Sequence, residues 1–345
     1  MRLDITCSTD NNYVQHCMAM LCSVFENNKE HNIIVHLLHH DELSNQSKDL
    51  LFNLSSRYNN IIKFYKVDMS KLLGVSIAEY HPDLSIATYF RLMLPSLLDE
   101  TIKYVLYLDC DVIVLKDVSA LFQLDLDGFG VAAVKDGTPG NDEHRMLMGL
   151  QLNDKAFCAG VLMINLDYWR NHRCQEKMME YAKVHSNDLI MEDQDVLNHE
   201  FRRRWFQLPY KYGYTPMSII PLDYNQKKAD IIEYVTDPSI IHYAAHVKPW
   251  LDINIPDDVY YWKYVEMSGF INPKRTIASK RIKKMIWTTK MRYYINYYLH
   301  PYVPNIFELL IIDFRDLIQS IYMIFCSKAI RKNYHISRWM KKYDL

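Results

Sequence analysis

Short apolar runs alternate with amphipathic segments through most of this 345-residue chain. Leu3–Cys7, Ile33–Leu38 and Ile61–Lys66 read as strands. Between them, Val14–Glu26 and Asn45–Tyr58 place apolar residues at helical spacing. That alternation predicts βαβ units and an α/β fold with a mostly parallel central sheet. The pattern continues with a helix over Thr88–Leu97 and strands over Tyr104–Leu108, Gly130–Val134 and Phe157–Asn165. Asn165–Tyr168 then leads into a helix through His185. No repeat or low-complexity linker breaks the pattern before about residue 273.

One stretch departs from simple alternation. In YVLYLDCDVIVL, residues 104–115, a strand apolar on both faces ends in Asp109 and Asp111. A buried strand has no use for two carboxylates unless a cation meets them. In an open α/β sheet, ligands bind just beyond the carboxyl ends of the strands, where this pair falls. Neighbouring carboxylates repel without a positive partner, and oxygen ligands suit Mg²⁺ or Mn²⁺ better than zinc. The pair therefore points to a divalent ion clamping a phosphate. Two rivals stand beside that reading: a solvated strand end, and a haloacid-dehalogenase phosphatase with an aspartyl nucleophile and a general acid.

Composition narrows the choice. With 49% hydrophobic and 23% charged residues, the chain has the make-up of a soluble globular protein, not a disordered one. It holds only 9 Gly and neither GxxxxGK[ST] nor GxGxxG, so metal and side chains must hold any phosphate. Cysteines at 7, 17, 22, 110, 158, 174 and 326 form an odd set without CxxC spacing, which fits neither a disulfide framework nor a zinc ribbon. A reducing compartment is expected. The start, MRLDITCSTDNNY, enters a strand without the apolar core of a signal peptide, and the expected location is cytoplasmic.

Charge divides the chain. Residues 1–273 carry 25 Lys and Arg against 37 Asp and Glu, whereas 274–345 carry 15 against 4. The domain reading is an acidic body over 1–272 and a basic, aromatic, helical tail over 273–345. In the tail, Leu310, Phe314, Leu317, Ile318, Ile321 and Phe325 recur at helical spacing. Its longest charge-free apolar stretch, Leu317–Cys326, falls short of the about 20 residues that span a bilayer. Two uses follow. One is docking on the inner, anionic face of a membrane through Lys280, Arg281, Lys283, Lys284, Arg331, Lys332, Lys341 and Lys342; the other is packing on the body or a second subunit. Nucleic acid is not expected, because no recognised motif accompanies the basic residues.

Six segments occur in a telling order: STDNNY after the first strand, SIATYFRLMLPSLL, YVLYLDCDVIVLKDVSALF, FCAGVLMINLDYW, EDQDVLN and HYAAHVKPW. Over about residues 1–265 the chain resembles the retaining glycosyltransferases of family eight, which include bacterial lipopolysaccharide glucosyl- and galactosyltransferases and, more distantly, glycogenin. The resemblance implies a GT-A fold, a Rossmann-like nucleotide-diphospho-sugar transferase. It implies a hexose moved from UDP-glucose or UDP-galactose to a cell-surface glycan or glycolipid acceptor, with Mn²⁺, or Mg²⁺ in its place, as cofactor. A glycogenin-like self-glucosylating role and a non-catalytic sugar-nucleotide-binding protein are the alternatives beside the phosphatase.

The resemblance also implies roles by position. Asp109, Asp111 and His242 are the metal ligands, and Cys110 is counted with the donor-binding residues, although by strand alternation it points back into the sheet as a small apolar filler. Lys248 balances the departing diphosphate. Ser8, Asp10, Asn12 and Tyr13 form the nucleoside pocket, Tyr13 stacking on the uracil. Arg91 faces the donor sugar and phosphate, and Asp136 binds sugar hydroxyls. Asp193 contacts the sugar, Gln194 lies against the reacting face of the anomeric carbon, and Asp195 is a reserve nucleophile. Gln194 is a poor nucleophile, which favours attack on the face the leaving group quits. Three positions depart from the family: Cys158 stands where several members carry Asn, and Ala244 and Ala245 replace small or glycine residues near the phosphates. His36, His39 and His40, with Asp41 and Glu42, lack ligand spacing and are assigned no role.

Overall fold

The computed structural model describes residues 1–40, 42–75, 85–136, 142–151, 154–216, 234, 237–244, 246–253, 255, 257–280 and 282–283. In chain order these form β1 (Arg2–Ser8), α1 (Val14–Asn27), β2 (Asn32–His39), α2 (Asn45–Arg57), β3 (Ile61–Lys66), α3 (Leu94–Leu97), β4 (Tyr104–Leu108), β5 (Val112–Val114), β6 (Val131–Lys135) and α4 (Asp142–Leu147). They continue with β7 (Phe157–Asn165), α5 (Leu166–Asn171), α6 (Cys174–Val184), α7 (Asp193–Phe201), β8 (Trp205–Gln207), β9 (Ile240–His242) and α8 (Asp258–Ser268).

The main sheet runs β3-β2-β1-β4-β7-β6-β8. Its first four strands are parallel, β7 is antiparallel to both β4 and β6, and β8 is parallel to β6. Strand order reverses at β1, with β2 on one side and β4 on the other. The carboxyl ends of β1 and β4, where Ser8–Tyr13 and Asp109–Asp111 lie, therefore flank the switch point at which such sheets bind ligands. A second sheet of two antiparallel strands, β5 and β9, pairs Val112 with His242.

Strand alternation divides the core. Leu3, Ile5, Cys7, Leu106 and Leu108 face one layer, formed with α1 and α8; Val105 and Tyr107 face the other, with Phe157, Trp169 and Phe201. Helix α1 is buried from Val14 to Phe25, polar residues included. Those polar groups are bonded to their surroundings: Gln15 Nε2 donates to the Tyr261 hydroxyl at 3.0 Å, and Ser23 Oγ accepts from the Val114 N–H at 2.9 Å.

Two elements differ from the expected ones. The helix expected over Thr88–Leu97 is a 3-10 stretch, Ile86–Met93, ending in α3. Ser85 caps its start, and Pro95 in the first turn of α3 lacks the N–H that a continuous helix would use. The single helix expected through His185 is broken in two, because Arg173 adopts a left-handed φ of 53° between α5 and α6. Lys274–Lys283, the described start of the basic segment, is bonded to the body. Lys274 N donates to Gln15 Oε1 at 2.9 Å and Thr276 N to the Trp250 carbonyl at 2.8 Å. The tail helix over Leu310–Phe325, and Arg281, Lys284, Arg331, Lys332, Lys341 and Lys342, lie outside the described residues, as do Asp41 and Ala245.

Candidate active site

The acidic turn begins where β4 ends. Asp109 N donates to the Gly160 carbonyl on β7 at 2.9 Å, which carries the pairing of the main sheet one residue past the strand. Asp111 leads directly into β5. Its carbonyl accepts from Tyr243 N at 2.9 Å, so the β5–β9 pairing brings His242 beside it. The thiol of Cys110 faces inward and donates to the Ser8 carbonyl at 3.2 Å, tying the ends of β1 and β4 together; its side chain belongs to the core and not to a ligand surface.

The two carboxylates have separate partners. Asp109 Oδ1 accepts from Arg91 Nη2 at 2.8 Å and from the Tyr107 hydroxyl at 3.0 Å. Asp111 Oδ2 accepts from Lys248 Nζ at 2.5 Å, while Oδ1 lies 3.4 Å from His242 Nε2 and is buried without a hydrogen bond. Burial alone would raise the Asp111 pKa, but Lys248 and His242 hold it well below the usual carboxylate range. The converse holds for His242: burial alone would lower its pKa, whereas Asp111 and Cys158 push it well above the usual imidazole range.

Ligand atoms of Asp109, Asp111 and His242 lie within 4.8 Å of one another, the one such His/Cys/Asp/Glu group among the described residues. The orphaned Asp111 oxygen, a second carboxylate and an imidazole nitrogen suit a divalent cation of borderline or hard character. Local chain geometry makes room for the ring. A methyl added at Gly160 would stand 2.5 Å from His242 Nε2 and 2.8 Å from Nδ1, so only glycine lets the imidazole lie on β7.

A second cluster adjoins the first. Arg91 is buried, and its bonds go to protein atoms: Nε to the Thr88 carbonyl at 3.1 Å, Nη1 to the Ala159 carbonyl at 2.6 Å and Nη2 to Asp109 and Thr88 Oγ1. It also stacks over the Tyr107 ring at 4.1 Å. Arg91 is the shared counter-ion of two carboxylates, because Asp193 Oδ2 is 2.9 Å from its Nε and Asp109 Oδ1 2.8 Å from its Nη2. Burial pushes the Asp193 carboxyl up to about 6, against the pull of Arg91 and a hydrogen bond from Thr88.

Gln194 spans two strands: its Oε1 accepts from Ala159 N at 3.0 Å and its Nε2 donates to Asp136 Oδ2 at 2.9 Å. The structure thus brings Asp136, Asp193 and Gln194 together with the acidic turn. Asp195 is placed otherwise. It is 1% exposed, with Oδ2 accepting from the N–H groups of Ile190 and Met191 and Oδ1 bonded to His144 Nε2 at 2.7 Å. The reserve-nucleophile expectation is corrected accordingly, since both oxygens are consumed in shaping the entry to α7. Asp10 Oδ1 accepts from Asn12 N and Tyr13 N, forming a turn ahead of α1. Asn12 is exposed, and Tyr13 packs edge-on to His16 and Trp250. Ser8 and Ala244 are partly exposed beside these groups.

Sequence reasoning missed Thr88, Tyr107 and Gly160, and treated Cys158 only as a departure. Tyr107 looks like one more apolar strand residue, and nothing in the sequence marks its hydroxyl. His36, among the histidines left without a role, is a buried residue bonded to Asp4 and Tyr65.

Residues 4–254 match the sequence model of Glycosyl transferase family 8. The chain is a member of glycosyltransferase family eight. General stress protein A of Bacillus subtilis is 27% identical over 263 residues, covering 72% of this chain and 87% of that protein. Lipopolysaccharide 1,2-glucosyltransferase of Escherichia coli K12 is 28% identical over 307 residues, 88% of each chain. Among solved structures, the galactosyltransferase LgtC in complex with donor and acceptor sugar analogues superposes with a TM-score of 0.65 at 23% identity, over 82% of this chain and 99% of that one. That likeness gives the family-eight protein the GT-A fold, and membership makes it a glycosyltransferase in place of a phosphatase or a silent binding protein.

Proposed function

We propose that this glycosyltransferase moves a hexose from UDP-glucose or UDP-galactose to a glycan or glycolipid acceptor with retention at the anomeric carbon, in the presence of Mn²⁺. The observation that carries the reading is the Asp109, Asp111 and His242 cluster at the switch point, with Asp193 and Gln194 beside it. Those three side chains would hold Mn²⁺, or Mg²⁺ in its place; the ion supplies charge neutralisation for a diphosphate. Lys248 adds a positive charge on the same carboxylate. Gln194 is fixed through both ends of its amide, which suits a group that steadies positive charge on a sugar carbon without attacking it. With Asp195 sequestered, same-face attack is favoured over a covalent intermediate.

A lipopolysaccharide or capsular oligosaccharide acceptor is suggested by the relatives' activities, and a cytoplasmic site of action by the cysteine usage. Among the described residues no helix is long and apolar enough to cross a membrane. The surplus of basic residues over 274–345 supports docking of that segment on an anionic membrane face, with Lys280 and Lys283 at its start. Because Lys274, Thr276, Ala278 and Lys283 are bonded to the body, deletion after Lys283 is the suitable test: it should release the protein from anionic liposomes. Unchanged binding would assign the segment to packing on the body or a second subunit.

The decisive experiment incubates the protein with Mn²⁺ and a panel of UDP-hexoses and follows UDP release with and without acceptor. One UDP-hexose should be turned over faster with acceptor present. No binding and no release with any of them would overturn the donor assignment.

A further inference from the structure

Cys158 stands where an amide was expected, and its surroundings give it a different task. Strand β7 alternates, so Cys158 and Gly160 project to the face opposite the core residues Phe157 and Ala159. On that face lies the His242 ring. Gly160 leaves room for its edge; Nε2 points to the orphaned Asp111 oxygen, and Nδ1 lies 3.5 Å from Cys158 Sγ. Sulfur hydrogen bonds are long, and 3.5 Å is within their range. We propose that Cys158 is a positioning residue for the metal ligand His242: its sulfur accepts a hydrogen bond from Nδ1–H, which fixes the ring so that Nε2 is turned toward the site that Asp111 lines.

The physical argument rests on the two ring nitrogens. A neutral imidazole that ligates through Nε2 carries its hydrogen on Nδ1, and that N–H needs an acceptor when the ring is buried. His242 is 5% exposed, and Cys158 is the side chain bonded to Nδ1. Sulfur lies on the far side of the ring from the carboxylates, so it orients the ligand and does not join it. Cys158 is also the only described cysteine that is not buried; Cys7, Cys17, Cys22, Cys110 and Cys174 are enclosed in the core.

This inference rests on the metal reading of the site, and a double-mutant cycle separates the two. Mn²⁺ affinity is measured in the presence of UDP, by the electron paramagnetic resonance signal of free Mn²⁺, for the unchanged chain, C158A, C158S, H242A and C158A/H242A. C158A should weaken Mn²⁺ binding about 10-fold, at the low end of the range for partners of metal-ligating histidines. C158S, whose hydroxyl also accepts a hydrogen bond, should restore most of the loss. On the H242A background, C158A should cost nothing further, because a residue that acts only through the ring has nothing left to orient. Equal affinity in C158A and the unchanged chain overturns the inference alone, as does an undiminished C158A effect without His242. An unchanged chain that binds no Mn²⁺ overturns the metal reading itself.

Discussion

Asp109 and Asp111 are two residues apart, yet the regions on either side of the acidic turn are built in different ways. On the main-sheet side, Asp109 is held by Tyr107 and Arg91, 2 and 18 residues away in sequence, and both partners are buried. On the small-sheet side, Asp111 is held by Lys248, 137 residues away, and by His242, which β5–β9 pairing delivers. The first region is a framework in which one buried guanidinium, Arg91, lies 2.8 Å from the Asp109 carboxylate and 2.9 Å from that of Asp193, although Asp193 Oδ2 also lacks a hydrogen bond. The second is left with an unsatisfied oxygen. A closed ion-pair network supports a site, whereas an incomplete one is where an added cation does most.

The largest expected effect tests the incomplete side. D111N should lower turnover by about 100- to 1,000-fold while the chain still folds, since a charge at the site is lost but the shape is kept. Chelation should match that loss, and added Mn²⁺ should restore the unchanged chain alone. Full metal-dependent turnover in D111N would remove Asp111 from the ligand set.

Next, R91A and K248A should separate the two regions by stability. Arg91 is buried and serves the buried Asp193 and the half-buried Asp109, so R91A should cost about 3–5 kcal/mol in urea denaturation. Lys248 serves one carboxylate and its side chain is 21% exposed, so K248A should cost less than R91A, about 1–3 kcal/mol, while slowing turnover. The reverse order of stabilities would break the comparison.

A glycine pair sharpens it further. G160A drives a methyl into His242, and G130A drives one into the Phe201 ring in the other core layer. Each should cost about 1–3 kcal/mol by overpacking. Only G160A should weaken Mn²⁺ binding, and equal weakening in both would show that the ring's seat on β7 is unimportant.

The smallest effect concerns pH. Burial lifts the Asp193 carboxyl from 3.8 to about 6 in the folded chain, so the folded state keeps a proton that the unfolded chain has lost. Its contribution to stability is full below the unfolded value and is lost as pH rises through about 6. The thermal midpoint of D193N should therefore gain on that of the unchanged chain between about pH 4.5 and 7. A constant gap across that window would show that Asp193 does not titrate there.

Much of the framework side was legible without coordinates. Strand periodicity located β1 to β4 and β7 to within a residue or two, because strands buried on both faces, such as β1, β4 and β7, are written as nearly continuous apolar runs. The break between α5 and α6 was not legible, since a single left-handed Arg173 leaves no trace in hydrophobic spacing. Nor was the bond between the Tyr107 hydroxyl and Asp109, because a tyrosine in an apolar strand looks like any other core aromatic. Asp195 illustrates the opposite error: its position in EDQDVLN suggested chemistry, whereas two backbone N–H groups and His144 consume it.

By itself the sequence determined an α/β chain with two carboxylates ending a buried strand, a motif order that identifies the family, and a charge divide near residue 273. These are local or one-dimensional properties, encoded by periodicity and composition. Only the tertiary structure decided that Asp111 keeps a buried oxygen without a hydrogen bond, that Arg91 pairs with both Asp109 and Asp193, and that Cys158 and Gly160 together seat His242. The reason is physical: each of those facts depends on the direction of a side chain across strands far apart in the chain, and spacing along a sequence carries no record of direction.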